Sequence, residues 1–265
     1  MLRGNSLFGP NCRNFRYMTK IRLKDIDTRA PAGMDKIETK KELAGILAEL
    51  SDLQNLLYAE GRHSILIVIQ GMDGSGKDAL TRDVFTSMNP QGVNVHSYKT
   101  PTQEELSHDF LWRVHHHVPA KGMIHIFNRS HYEDVLVTRV HGWVDKETAQ
   151  KRMRAINDFE RLLIDHNETQ VLKFYLHVSQ EEQLKRLNER LTDPHKMWKY
   201  NEEDIKESRL WEQYMKYYED VFDHCSEPPW HIVPADQNWY KSYTVAQALK
   251  KTLLGLKMKF PGMKK

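Results

Sequence analysis

Two kinds of hydrophobic spacing alternate along the chain. Runs of five to eight mostly apolar residues are typical of buried strands, and they are separated by longer segments whose apolar residues recur at helical spacing. The predicted strands are 64–70, 93–98, 123–128, 171–178 and 231–235. The predicted helices are 35–61 and about 77–88, 103–116, 147–167, 181–192, 203–224 and 240–258. Such alternation predicts an α/β fold with a parallel sheet covered by helices on both faces.

The first predicted strand runs directly into the sequence GMDGSGKD at positions 71–78. Seven of these eight residues fit G-x-x-x-x-G-K-[ST], a loop whose backbone N–H groups surround phosphate and whose lysine reaches the terminal phosphates. A strand before the loop and a helix after it provide the context that this motif requires. We therefore expect the loop to bind phosphate, and the alternative is a glycine-rich turn with an incidental lysine.

The eighth residue of the motif is Asp78, where Ser or Thr usually supplies a hydroxyl to magnesium. A neighbouring strand end commonly supplies an aspartate, but the strand at 123–128 ends in Asn128. A carboxylate close to phosphate is repelled by about 4 kcal/mol per pair of unit charges at an effective dielectric constant near 20. A divalent cation that bridges the two anions turns this repulsion into a net attraction. We therefore expect Asp78 to act with a metal. Asp73 and Glu133 are further candidates, with a surface or capping role as the alternative for each.

A second basic cluster follows the fourth predicted strand, at positions 184–207. Its basic residues are Lys185, Arg186, Arg190, His195, Lys196 and Lys199. In P-loop kinases this region is a lid that closes over the phosphates, and arginine suits a charge that is spread over several oxygens. The alternative is an amphipathic helix with a solvated basic face. Trp112 and Arg113 precede the third strand, where such kinases recognise the acceptor, and a packing role is the equal alternative there.

Composition adds little to this interpretation. The net charge is +3, and the two cysteines lack metal-ligand spacing, which favours a reducing, cytoplasmic location. No apolar run approaches the roughly 18 residues of a membrane span. Six basic residues precede the first acidic residue, Asp25. We therefore expect residues 1–34 to form an extended basic leader and residues 35–265 to form a single domain. The leader could be a transit peptide, an arm that binds an anion, or a poorly packed tail.

Three segments together carry a resemblance to a known family. GMDGSGKD, HDFLWRVHHHVPAKGMIHIFNRSHYEDVLVTRVHG and RLTDPHKMWKY resemble the polyphosphate kinase 2 family over about positions 36–255, and the long middle motif is highly specific. The resemblance implies a three-layer αβα sandwich, a P-loop kinase core similar to thymidylate kinase and a helical lid at about 185–207. It also implies reversible, Mg²⁺-dependent phosphoryl transfer between inorganic polyphosphate and nucleotides, with Mn²⁺ as a possible substitute.

Within that family, Asp is usual after the P-loop lysine, whereas many members carry Asp at the position of Asn128. The form NRSHYEDVL resembles the subgroup that phosphorylates both AMP and ADP to form ADP and ATP. The resemblance further implies a homo-oligomer, a dimer or tetramer, with the aromatic C-terminal helices as a candidate contact. It implies neither a nucleic-acid partner nor a membrane. An ATP-dependent nucleoside monophosphate kinase and a non-catalytic polyanion-binding protein are the rival interpretations.

The motifs and the resemblance together assign roles to individual residues. Catalysis falls to Asp73, Lys77, Asp78 and Arg129, of which Asp73 and Asp78 hold the metal. Nucleotide binding falls to Trp112, Arg113, Asn128 and Glu133. Polyphosphate binding falls to Gly74, Ser75, Gly76, Lys77, Arg129, Arg190, Lys196 and Lys199.

Overall fold

A single five-stranded parallel sheet organises the protein, for which a computed structural model describes residues 20–263. The strands are β1 (Ser64–Gln70), β2 (Val93–Ser97), β3 (Ile124–Asn128), β4 (Thr169–His177) and β5 (Trp230–Pro234). Their order in the sheet is β2-β3-β1-β4-β5. All five predicted strands are confirmed, with ends that differ by at most two residues. β1 lies at the centre and is buried along its whole length, which explains its continuous apolar sequence.

Two groups of helices flank the sheet. The helices are α1 (Lys36–Glu60), α2 (Lys77–Phe85), α3 (Gln103–Ser107), α4 (Trp112–His115), α5 (Val137–Val140), α6 (Lys146–Asn167), α7 (Gln180–Thr192), α8 (Glu202–Ser208), α9 (Trp211–His224) and α10 (Asn238–Gly255). α10 packs against both α1 and α2, and α9 packs against both α5 and α6. With the sheet, these layers form the αβα sandwich that the family resemblance implied. None of the helices in residues 20–263 is long and apolar enough to cross a bilayer.

Two of the predicted helices are each divided into two shorter ones. The segment 103–116 is interrupted because His108 is extended (ψ 177°) and the Asp109 carboxylate accepts the Leu111 N–H at 2.9 Å. The segment 203–224 is interrupted between α8 and α9, at residues 209 and 210. The aromatic face of α9 is buried inside the chain, at Trp211, Tyr214, Tyr218 and Phe222. These side chains therefore belong to the core, and they are not available for a subunit contact.

Part of the predicted leader is described by the structure, and that part packs against α9 and the segment that follows β5. Residues 1–19 lie outside the described residues. Leu23 is buried, and its N–H donates to Glu219 of α9 at 2.8 Å. The Asp236 N–H donates to the Thr28 carbonyl at 3.0 Å, and the Thr28 hydroxyl donates back to the Asp236 carboxylate at 2.8 Å. Residues 23–28 thus contact α9 and the segment that follows β5.

A fully buried ion pair fixes the segment that follows β3. Lys173 of β4 donates to Glu160 of α6 at 2.8 Å, to the Tyr132 hydroxyl at 3.0 Å and to the Cys225 carbonyl at 2.9 Å. The Tyr132 hydroxyl in turn donates to Glu160 at 2.8 Å. Burial raises the pKa of Glu160, but His131 and Lys173 outweigh it, and the net pKa lies below its ordinary value. Glu160 is therefore ionised at neutral pH, and it anchors residues 131 and 132 close behind Arg129.

Replacing Lys173 with Met should destabilise the fold by about 3–5 kcal/mol, because it leaves Glu160 buried without its cation. Denaturant unfolding followed by circular dichroism measures this loss. The double variant Lys173→Met/Glu160→Leu should recover part of it, since an apolar pair of similar volume needs no ion partner. The matched control is Lys151→Met, which breaks only the exposed α6 pair with Glu147 and should change little. An equal effect of the two single substitutions would contradict the role given to the buried pair.

Candidate active site

The phosphate loop lies at the carboxyl end of the central strand. Gly71 has φ +150°, and a Cβ there would lie 2.9 Å from the Ser75 hydroxyl oxygen and 3.0 Å from the Leu176 carbonyl oxygen. Gly76 has φ +91° and precedes the first residue of α2. Only glycine meets both demands without strain. The loop therefore has the conformation for which the motif selects, with the N-terminus of α2 directed at the site.

Lys77 is buried at the centre of this loop. Its ammonium donates to the Gly71 carbonyl at 2.7 Å and to the Met72 carbonyl at 3.2 Å, and it lies 3.7 Å from the Asp73 carboxylate. Burial lowers the pKa of Lys77, and the charges of Asp73, Glu133 and Asp78 partly restore it. Asp73 is thus the carboxylate that lies beside the P-loop lysine, and the charges of Glu133 and Asp78 also raise the pKa of the lysine.

Arg129 crosses from the end of β3 to the phosphate loop. Its guanidinium donates to Asp73 at 2.5 Å, while its own N–H continues the sheet by donating to the Ile69 carbonyl at 3.1 Å. The residue has φ +61°, a left-handed conformation that costs an arginine on the order of 1–3 kcal/mol. Burial raises the pKa of Asp73, but Lys77 and Arg129 outweigh it, and the net pKa lies below the usual range. Asp73 is thus an anion held between two cations.

Asp78 links the end of β3 to the predicted lid. One carboxylate oxygen accepts the Asn128 amide at 2.8 Å, and the other accepts the Lys199 ammonium at 2.7 Å. Burial raises the pKa of Asp78, and the bonds from Lys199 and Asn128 bring it below the ordinary value. Asp78 and Asn128, the two positions at which the sequence departs from the usual pattern of such sites, are therefore in direct contact. An aspartate at 128 would place a second carboxylate against Asp78, whereas Asn128 supplies a donor.

The lid region brings two of its three predicted polyphosphate-binding residues to the site. Lys199 contacts Asp78, and Arg190 pairs with Asp204 of α8 and lowers the pKa of Asp73. Lys196 instead bonds to Glu189 at 2.6 Å and to Asp193 at 3.5 Å, so its described partners lie within the lid itself. Its role in binding polyphosphate stays a prediction.

The predicted acceptor residues are held mainly by their neighbours. Arg113 is buried, donates to the Lys99 carbonyl at 3.0 Å and lies 3.7 Å from Asp134. The Trp112 ring stacks on His108 with a centroid separation of 4.2 Å. These contacts agree with the packing alternative, and the nucleotide role of both residues stays a prediction. Burial raises the pKa of Glu133, and the charges of Arg129 and Lys77 partly offset this rise.

Some residues of the site were not assigned to the phosphate loop from the sequence, and one of them, Arg186, was grouped with the lid instead. Gln183 and Arg186 of α7 and Lys241 of α10 contact the outer side of the phosphate loop, and Asp204 of α8 faces Arg190 and Asp73. For α7 a signal existed, because Gln183, Arg186 and Arg190 are spaced i, i+3, i+7 and share one helix face. For Lys241 there was none, because only the fold brings the C-terminal helix to the loop.

The arrangement also has the groups that a magnesium-dependent site requires. Within residues 20–263 no three His, Cys, Asp or Glu side chains converge as a preformed metal site. Mg²⁺ at phosphoryl-transfer sites commonly uses only one or two protein carboxylates and takes its remaining ligands from phosphate and water. Asp73 and Asp78 fit that pattern, because both have lowered pKa values and both act on the charge of Lys77.

A phosphate loop on the central strand, an arginine from the next strand and cations from a lid define a P-loop phosphotransferase. The family model described as "Polyphosphate kinase 2 (PPK2)" matches residues 33–261, and the chain belongs to that family. The chain is 48% identical over 237 residues to an AMP/ADP-polyphosphate phosphotransferase of Meiothermus ruber, covering 89% of this chain and 88% of that protein. It is 42% identical over 226 residues to an ADP-polyphosphate phosphotransferase of Rhodopseudomonas palustris, covering 80% and 78%.

Solved structures agree with this assignment. The crystal structure of polyphosphate kinase 2 from Arthrobacter aurescens TC1 matches with a TM-score of 0.90 and 41% identity, covering 94% of this chain and 91% of that one. A putative polyphosphate kinase 2 from Pseudomonas aeruginosa PA01 matches with a TM-score of 0.82 and 30% identity, covering 88% of this chain and 50% of that one. The predicted family and the predicted kinase fold are thus confirmed.

Proposed function

We propose that the protein transfers the terminal phosphoryl group of inorganic polyphosphate to AMP and to ADP, reversibly and with Mg²⁺. Membership of the family and the names of the similar proteins support this activity. The observation that carries it is the grouping of Lys77, Arg129 and Lys199 around the carboxylates of Asp73 and Asp78. Such alternating charges suit two polyanions that must approach each other.

Polyphosphate is assigned to the phosphate loop and the lid. The cations that would bind it all have protein partners in this structure. Lys77 bonds to loop carbonyls, Arg129 to Asp73, Arg190 to Asp204 and Lys199 to Asp78. Phosphate oxygens would take over these donors when the chain of phosphates enters. Lys196 would act farther along the lid, at its exposed edge.

Asp73 and Asp78 would hold Mg²⁺, which supplies charge neutralisation between the donor and acceptor phosphates. Asn128 would orient the Asp78 carboxylate by its amide, and Glu133 would lie at the border between the metal and the nucleotide. The attacking phosphate oxygen of AMP or ADP is already ionised, so no general base is needed. Catalysis then rests on positioning and on charge stabilisation by Lys77 and Arg129.

The nucleotide is assigned to the side of Trp112 and Arg113, near the end of β2. We further propose a reducing, cytoplasmic location and a homo-oligomer, a dimer or tetramer. Because the aromatic face of α9 is buried in its own core, a subunit contact would use other surfaces.

The direct test offers AMP or ADP with polyphosphate and Mg²⁺ but no ATP, and resolves the product nucleotides by chromatography. ADP should form from AMP, and ATP from ADP. Chelation of the metal should stop both reactions, and high salt should weaken polyphosphate binding steeply, as for any polyanion held by many charge contacts. Product that forms only when ATP is supplied would favour the nucleoside monophosphate kinase. Metal-independent binding of polyphosphate without turnover would favour the passive binder.

A further inference from the structure

The outer side of the phosphate loop is held by side chains from two helices that are distant in sequence. Four consecutive carbonyl groups, those of residues 73–76, each accept a side-chain hydrogen bond. Gln183 donates to the Asp73 carbonyl at 2.9 Å. Arg186 donates to the Gly74 and Ser75 carbonyls at 3.1 and 3.2 Å, and Lys241 donates to the Gly76 carbonyl at 3.0 Å.

Arg186 makes an unusually complete set of contacts. Its Nε donates to Glu182 at 2.9 Å, and its Nη2 donates to the Ala235 and Asp236 carbonyls, both at 2.8 Å. With the two loop carbonyls, these acceptors match the five N–H groups that a guanidinium carries. Arg186 therefore ties the loop to α7 and to the segment after β5 at once. Lysine has neither the planar geometry nor the number of donors to do the same.

Lys241 occupies an equally specific position. Its side chain is fully buried, and its ammonium donates to Gly76 and to the Asn238 side chain, the latter at 2.9 Å. A Cβ at residue 76 would overlap this ammonium, so the Lys241 side chain can take this position only beside a glycine. Burial and the charge of Arg186 lower the pKa of Lys241 to about 7. At neutral pH the Lys241 amine is therefore protonated only in part, and in either form it has enough N–H groups to donate to both acceptors.

The hydrogen bonds to the carbonyls determine where the N–H groups point. In a trans peptide the C=O of one residue and the N–H of the next lie in one plane and point in opposite directions. Fixing the carbonyls of residues 73–76 from outside therefore directs the N–H groups of residues 74–77 inward. The Ser75 N–H donates to the Met72 carbonyl at 3.0 Å and shapes the turn. The N–H groups of Gly74, Gly76 and Lys77 belong to the other three fixed peptides.

We propose that Arg186 and Lys241 are positioning residues, which hold the phosphate loop from its outer side in the conformation that binds polyphosphate. A loop with three glycines in eight residues has many alternative peptide orientations, and each one removed in advance lowers the entropy lost on binding. The two side chains act through the loop and make no contact with phosphate themselves. This role rests on the proposed function, because polyphosphate is the anion assigned to the loop.

The decisive variant is Arg186→Lys, which keeps the charge and removes the guanidinium geometry. We expect the KM for polyphosphate to rise about tenfold, the effect of losing one charge-assisted hydrogen bond, with kcat and the nucleotide KM changed less than about twofold. Lys241→Met should act in the same direction and serves as a second, independent variant if Arg186→Lys folds poorly. Lys250→Met, on the same helix but paired with Glu49, is the matched control and should equal wild type.

Two further measurements distinguish positioning of the loop from direct binding of phosphate by Arg186. The salt dependence of the polyphosphate KM should keep the wild-type slope in Arg186→Met, because the cations that contact phosphate are unchanged, whereas the loss of a direct phosphate contact would lower the slope by about one. Calorimetric binding of tripolyphosphate should weaken in parallel with the KM. Wild-type affinity of both variants for tripolyphosphate, or a rise confined to the nucleotide KM, overturns the positioning role. If the wild-type protein itself neither binds nor uses polyphosphate, it is the proposed function that fails.

Discussion

Replacement of Arg129 with Met is expected to lower kcat for phosphoryl transfer at least about a thousandfold, the lower end of the range for an arginine that stabilises the transferring group. Arg129 is the guanidinium that reaches the phosphate loop from the neighbouring strand, and it now bonds to Asp73 at 2.5 Å. Its planar donors can follow charge that spreads over several phosphoryl oxygens. Single-turnover measurements at saturating polyphosphate and ADP would report this loss without interference from product release.

The comparison variants make the result specific to the guanidinium. Arg129→Lys keeps one positive charge and should retain activity between wild type and Arg129→Met. Arg161→Met removes an exposed arginine of α6 that pairs with Asp158, and it should leave kcat unchanged. Methionine has the same left-handed backbone cost as arginine at φ +61°, so the melting temperatures of the two Arg129 variants should be similar. A fall of less than tenfold in Arg129→Met would show that Arg129 only binds or only packs.

The sheet was predictable because its central strands are buried on both faces. β1 and β4 are largely apolar and buried, and segments with helical spacing separate the strands along the chain. The length and the hydrophobic period of each segment were therefore enough to distinguish strands from helices. The two predicted helices that are divided in the structure are divided by short turns. Between α3 and α4, and between α8 and α9, a short turn leaves the apolar spacing nearly intact, while local bonds such as that from Leu111 N–H to Asp109 interrupt the helix. Apolar periodicity does not record those bonds.

The site was predictable where one motif contains both the backbone shape and the side chain. The loop glycines and Lys77 are the clearest case, whereas Arg129 was assigned through the family resemblance. The sequence also grouped Arg186 with the lid, whereas the fold places it beneath the loop with its side chain only 14% exposed. A helix distributes consecutive basic residues over different sides, so a cluster in sequence is divided in space. Lys185, beside Arg186, is 64% exposed and shows this division.

Replacement of Asp78 with Asn is expected to lower the rate of phosphoryl transfer about a hundredfold, as does the removal of one electrostatic stabiliser of a transition state. It should also raise the Mg²⁺ concentration needed for half-maximal activity. The substitution keeps size and shape but removes the anion that faces Lys199 and Asn128. Asp52→Asn, at an exposed position of α1, is the matched control and should behave as wild type. Binding of Mn²⁺ followed by electron paramagnetic resonance gives a readout that does not depend on turnover.

The 2.8 Å contact between Asp78 and Asn128 permits a sharper experiment, in which the two side chains are exchanged. Asn128→Asp alone places two carboxylates in contact, so one of them should hold a proton at higher pH, and the acid limb of the rate profile should move to higher pH. The double variant Asp78→Asn/Asn128→Asp again pairs one carboxylate with one amide. It should regain at least about tenfold of the activity and of the Mn²⁺ affinity lost in Asp78→Asn, since a carboxylate ligand for the metal is restored. If the losses of activity in the two single variants simply add in the double variant, the metal cannot use a carboxylate at position 128 in place of one at position 78. The contact between the two residues would then have no role in metal binding.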